Sequence, residues 1–286
     1  MGNYLMIIFA TILLALNFAV TKEYQQKEGT SLENGLKFNI LLGAFSAGIF
    51  FVMNGFKIEL NVFSVVMASI MAIVIVVYTI IGFKIMSEEK MALYTVFLMS
   101  GGMIVPYIWG LLFLNEPFSI LRTIGLIVIA AAVFITNADS SKPGAKQIIM
   151  CLAVFLLNGC VSVISKEHQI NPQAASFVDF LIINSLAKVL FCFITLLFVK
   201  NRNAAKSKIS LKPVLIIFSS ALLSGFSYLL QLIGAKNLEA TVLYPIVTGG
   251  GIIFTAFAGS IFFKEKITFK IALGIILCFA GTCMFL

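Results

Sequence analysis

The chain has 286 residues, 60% of them hydrophobic and 11% charged, with a net charge of +8. A soluble domain carries about a quarter charged residues, so the composition excludes an ordinary soluble protein. The positive balance does not indicate nucleic acid, because too little polar surface remains to bind it; it fits loops held on the cytoplasmic side of a membrane.

Ten apolar runs follow one another: 3–21, 36–53, 62–83, 91–113, 118–136, 145–165, 172–199, 214–233, 240–262 and 267–286. Each is near the ~20 residues that cross the hydrocarbon as a helix. Strands are excluded because lipid satisfies no backbone polar group and these runs lack barrel alternation. The first run has no Lys or Arg before it and no small-x-small site after it, so it reads as a retained helix rather than a signal peptide. The five cysteines (Cys151, Cys160, Cys192, Cys278 and Cys283) lie in apolar runs and are odd in number, against a disulfide framework.

The chain is written twice. Under one constant shift Leu93–Phe134 lands on Val242–Cys283, and Gly101, Gly102, Gly110, Glu116 and Gly125 meet Gly250, Gly251, Gly259, Glu265 and Gly274. Earlier, Thr21-Lys22-Glu23-Tyr24-Gln25 echoes Ser165-Lys166-Glu167-His168-Gln169. Self-similarity at a long period means two copies of one structural unit. The polar stretch 137–146, with Asp139, Ser140, Ser141, Pro143 and Gly144, divides the chain into units 1–138 and 145–286. Five helices per unit is odd, so the second unit enters the membrane from the opposite side. The expected fold is an all-α integral membrane protein of ten transmembrane helices, built as two inverted five-helix repeats.

The Ser100-Gly101-Gly102 and Gly249-Gly250-Gly251 patches, the Leu114-Asn115-Glu116-Pro117 and Phe263-Lys264-Glu265-Lys266 turns, and the Gly-plus-small closing helices resemble the EamA repeat of the drug/metabolite transporter superfamily. The resemblance covers the whole chain. It implies a secondary transporter that moves small metabolites by alternating access, seated in the cell membrane and needing no cofactor. It names no substrate, and a monomer is compatible with it.

Lys188 stands out, deep in the seventh run. A charge near the bilayer middle is costly and needs a partner or a wet cavity. Asn184, Cys192 and Thr195 share its face. Its functional reading is to bind an anionic group of the substrate; its structural reading is a lysine bonded to helix carbonyls. Further polar stripes follow helical spacing: Ser220, Ser224, Ser227 and Gln231 in the eighth run; Tyr244, Thr248, Gly251 and Thr255 in the ninth; Asn158, Ser162 and Ser165 in the sixth; Asn17 and Thr21 in the first. Trp109 and Tyr107 add a ring and a hydroxyl in the fourth. The substrate-binding candidates are therefore Lys188, Asn184, Ser224, Ser227, Gln231, Tyr244, Thr248, Asn158, Asn17 and Trp109. Small residues at i and i+4 read as close-packing faces between helices. Glu116 and Glu265 read as caps of the closing helices that follow them.

A multidrug exporter is the alternative. It needs an apolar, aromatic and acidic cavity, and the 28 Phe give it some standing. The related small multidrug exporters carry a glutamate in the first helix, where this chain has Asn17. Only Asp179 is a carboxylate well inside a run. A non-transporting scaffold, with packed helices and no cavity, is the third reading. No enzyme is expected: the sole His, His168, is placed in a turn with no metal-ligand cluster beside it. Lys200, Arg202, Lys206, Lys208 and Lys212 put that side in the cytoplasm by charge and both termini outside. The resemblance implies termini inside, so the sequence places both termini on one side without choosing it.

Overall fold

A computed structural model describes residues 2–29, 31–87, 91–137, 144–199, 211–264 and 266–285. Glu265, Asp139 with its neighbours Ser140, Ser141 and Pro143, and the basic Lys200, Arg202, Lys206 and Lys208 lie outside the described residues. The described residues form ten helices and no strand: α1 (Gly2–Glu28), α2 (Leu32–Met53), α3 (Val62–Ser87), α4 (Met91–Phe113), α5 (Ile120–Asn137), α6 (Ala145–Ile170), α7 (Phe177–Val199), α8 (Leu211–Asn237), α9 (Ala240–Phe263) and α10 (Phe269–Cys283). Eight are long and apolar enough to cross a membrane; the apolar stretches Ile120–Thr136 and Phe269–Cys283 are shorter. At 1.5 Å per residue those two reach only roughly 22–26 Å, against a hydrocarbon layer of about 30 Å.

Helix ends depart from the apolar runs for a physical reason. The first helix continues past residue 21 to Glu28 and the sixth past residue 165 to Ile170. The charged residues there have partners, so the helix can carry them. His168 is therefore in the last turn of α6, fully buried, and not in a loop. The seventh helix begins at Phe177 rather than 172, because Ser176 caps it: its Oγ accepts from the Asp179 N–H at 3.1 Å. That moves Asp179 from mid-helix to the first turn.

The two halves are interleaved. The first helix packs on α8 and α9, and α6 packs on α3 and α4. Exchanging each helix with its counterpart in the other half maps α1–α8 onto α6–α3, α1–α9 onto α6–α4, and α2–α8 onto α7–α3. The pairs α2–α7, α4–α9 and α5–α10 map onto themselves. The close approaches fall at the small residues. A Cβ on Gly101 would lie 2.1 Å from the Phe155 carbonyl oxygen, and one on Gly159 would lie 2.8 Å from the Gly101 oxygen. A Cβ on Gly125 would lie 2.8 Å from the Gly281 oxygen, and one on Gly281 would lie 2.9 Å from the Gly125 oxygen, across the α5–α10 seam. In lipid, where apolar surface alone does not drive association, such contact is what holds helices together.

Candidate functional site

The polar stripes lie mostly along helix seams. Ser220 Oγ donates to Asn17 Oδ1 at 2.5 Å, and Ser227 Oγ donates to the Ala10 carbonyl at 2.7 Å, so this face of α8 is bound to α1. Gln231 Nε2 donates to Ser227 Oγ at 3.2 Å, and Ser224 Oγ bonds its own helix at Ser220 O. Asn158 Nδ2 donates to the Leu98 carbonyl at 2.8 Å and Ser162 Oγ to the Gly102 carbonyl at 3.2 Å, joining α6 to α4. Tyr244 OH donates to the Ser162 carbonyl at 2.5 Å. Trp109 Nε1 donates to Glu167 Oε1 at 2.6 Å and its ring stacks on Phe113. Trp109 thus sits at one end of the bundle, apart from Lys188.

Lys188, Asn184 and Thr248 differ from these. Lys188 lies midway along α7 and is half-buried. Its stem runs past α2 at Gly43, where Cε would lie 3.6 Å from an added Cβ. Among the described residues its amine has no hydrogen bond or ion pair; the group that acts on it electrostatically is the Cys192 thiol, one turn on. One turn back, Asn184 is 7% exposed and its Oδ1 is buried with no partner. A cation and an unsatisfied acceptor therefore share one face of a mid-bundle helix. A buried polar atom without a partner costs about 1–3 kcal/mol. Thr248 likewise makes no side-chain hydrogen bond among the described residues. Ser100, Thr241, Thr255 and Thr282 add buried hydroxyls without partners.

Several interior groups carry no signal in a single helix. Tyr228 OH bonds Ser165 Oγ at 2.7 Å and reaches Met71 Sδ at 3.5 Å, which ties α8 to α6 and α3. An isolated Tyr in an apolar run reads as filler until its neighbours are known. Glu116 is a cap, but of a different helix from the one that follows it. Its two oxygens accept from the Ala240 and Thr241 N–H groups at 2.6 and 2.8 Å, so it caps α9 of the other half and not α5. Two open grooves are apolar. One of about 340 Å³ is lined by Phe9, Leu13 and Leu222 between α1 and α8. One of about 560 Å³ is lined by Phe45, Met53 and Phe218 between α2 and α8. Neither holds a carboxylate, which the multidrug alternative requires.

Four turns form one layer at an end of the bundle. Asn54 Nδ2 donates to Asp179 Oδ1 at 2.8 Å, joining the α2–α3 turn to the α6–α7 turn. Trp109 and Glu167 join α4 to α6. The Lys166 amine donates to the Ala235 carbonyl at 2.9 Å and to the Leu238 carbonyl, capping the end of α8. Arg122 pairs with Glu239 beside the Glu116 cap.

A sequence model described as the EamA-like transporter family matches residues 145–286. A solved crystal structure, described only as that of a protein, superposes with a TM-score of 0.78 at 13% identity, covering 99% of this chain and 95% of that one. At that identity the likeness speaks for the fold alone. No curated protein is detectably similar in sequence.

Proposed function

The chain belongs to the EamA-like transporter family through residues 145–286 and is a multi-pass membrane transporter of the drug/metabolite superfamily; from that premise we propose that it carries small anionic or zwitterionic metabolites by alternating access. The observation that carries the substrate class is Lys188. An unpaired ammonium at the middle of a membrane helix is costly unless something compensates it, and an anionic solute would do so. Asn184, with a free buried acceptor on the same face, would take a hydrogen-bond donor of the same solute. Thr248 would line the path from α9. Asn17, Asn158, Ser224, Ser227, Gln231, Tyr244 and Trp109 would act chiefly by holding the seams against which the site is built.

The expected path is two inverted five-helix repeats, 1–138 and 145–286, with α5 and α10 also crossing the bilayer. The near-invariance of helix pairing on exchange of the halves supports this reading. The seat is the cell membrane.

A thermal-shift screen of purified protein against amino acids, organic acids, phosphorylated sugars and cationic dyes tests the proposal beside Lys188→Ala. Ligand binding stabilises by RT ln(1 + [L]/Kd). Anionic or zwitterionic solutes are expected to stabilise the parent and not the variant. If dyes alone stabilise, and equally in both, Lys188 is structural and the substrate class is wrong.

A further inference from the structure

Among the described residues, the polar bonds that join one half of the chain to the other include a dense clasp between the α2–α3 turn and the α6–α7 turn. Asp179 is 3% exposed and accepts from Asn54 Nδ2 at 2.8 Å and from the Glu59 N–H at 3.2 Å, both in the first half. Its second oxygen accepts from Ser176 Oγ at 2.7 Å, so the carboxylate is engaged on both oxygens. Asn61 Nδ2 donates to the Gln173 carbonyl at 2.8 Å. His168 and Ser64, both fully buried, place Nε2 2.8 Å from Oγ, and Ser64 Oγ also accepts from the Ala175 N–H at 2.9 Å. The imidazole is held between Phe180, with ring centroids 3.8 Å apart, and Phe63.

The described positions that match Asp179, His168 and Ser64 in the other half make no such bond across the halves. Aligning the two helices that begin at Leu32 and Phe177 sets Ser31 against Ser176 and Asn34 against Asp179. Ser31 caps its helix as Ser176 does, with Asn34 N–H donating to its Oγ. Asn34 Nδ2, however, bonds the Glu28 carbonyl of its own half. In the echoed pentapeptides Tyr24 matches His168, and its ring packs on Phe38, again within its own half. Aligning α3 with α8 sets Pro213 against Ser64, and proline has no side-chain polar atom.

We propose that the end of the bundle carrying these turns is the gate this conformer holds shut, with Asp179, His168 and Ser64 as its lock. Among the described residues, the counterparts Asn34, Tyr24 and Pro213 offer no bond of this kind across the halves. The inference rests on the transporter reading for the word gate, and on the bonds alone for the lock. Opening this end for release would separate a charged acceptor from two donors and part a buried Ser–His contact, which biases the equilibrium toward closure until a bound solute compensates.

Hydrogen exchange of the full-length protein, read by mass spectrometry, tests the lock with no substrate. In Asp179→Asn, which reproduces the residue at the opposite end, exchange across residues 54–61 is expected to rise about tenfold, matching the loss of a charge-assisted bond. Helices α5 and α10 should keep the parental rate. A rise confined to residues 176–180 would mean that Asp179 only supports its own helix, and the lock falls. The second variant, Asn54→Cys with Asp179→Cys, replaces the bond by a reducible one. Oxidised, it should protect residues 54–61 as in the parent; reduced, it should not; failure to form the disulfide, or no change on forming it, overturns the lock. Uptake into liposomes of the metabolite that stabilises the parent should stop in the oxidised pair and return on reduction. Protection without loss of uptake overturns the gate and leaves the transporter standing. A parent that takes up nothing overturns the transporter reading, while the exchange result still decides the lock.

Discussion

Gly101 shows what a single position decides in this bundle. Its Cα faces the backbone of Phe155 on α6 so closely that a methyl would sit 2.1 Å from a carbonyl oxygen that has no freedom to turn aside. Gly48, on the exposed face of α2, has nothing within 4 Å of the same added atom. Gly101→Ala is therefore expected to destabilise by about 1–3 kcal/mol, the range for forcing extra volume into packed contacts. Gly48→Ala should be neutral or slightly stabilising, by up to about 1 kcal/mol, because alanine favours the helix. Thermal unfolding of the two variants side by side checks this. Equal melting temperatures would mean that α4 and α6 are not pressed together at Gly101. Lys188 is the opposite case: a charge without a partner among the described residues, at a depth where translocon scales assign about 2.5–3.5 kcal/mol to a lysine. Its singularity was readable from the sequence, since one charge in an apolar run needs no neighbour to be noticed.

The ends of helices illustrate how an element can be capped from outside its own half. Glu116 follows α4 and precedes α5, so its place in the chain predicts a cap on α5. It instead holds the first two N–H groups of α9, whose own Glu239 makes no side-chain cap bond. Glu116→Ala should cost about 0.5–2 kcal/mol and speed amide exchange in the first turn of α9, around residues 240–243. The first turn of α5 should keep its parental rate; acceleration there instead would restore the simpler local cap. Helix existence was legible because lipid demands unbroken apolar length. Helix ends were less so, since α1 runs on through Glu23, which pairs with Lys27 of the same helix, and α6 runs on through Lys166 and His168, whose partners lie across the bundle. The same limit applies to the candidate site. The periodicity of Ser220, Ser224, Ser227 and Gln231 marks a polar face correctly, yet says nothing about what lies opposite. Asn17 and the Ala10 carbonyl lie there, which makes that face a seam.

At the scale of the whole molecule, the two halves of the sequence on either side of residues 138–143 share one core. Ile7 of α1 packs with Leu243 and Tyr244 of α9 in the largest apolar cluster, which also takes Val96 and Met103 from α4 and Cys278 from α10. A second cluster joins Phe50 of α2 and Met71 of α3 to Phe180 of α7 and Leu232 of α8. The first half alone would leave the glycine face of α4, the inner face of α1 and the donors of the α2–α3 turn without partners. Small-residue seams work only when both backbones are present, since no hydrophobic force in lipid replaces the lost contact. Residues 1–138 expressed alone are therefore expected to be protease-sensitive and to lack a cooperative melt. Co-expressed with 145–286 as a separate chain, they should co-purify and melt near the parental temperature, because the helices themselves make the contacts between the halves. A first half that is monodisperse and melts cooperatively by itself would show that the seams are secondary, and that each repeat closes a core of its own.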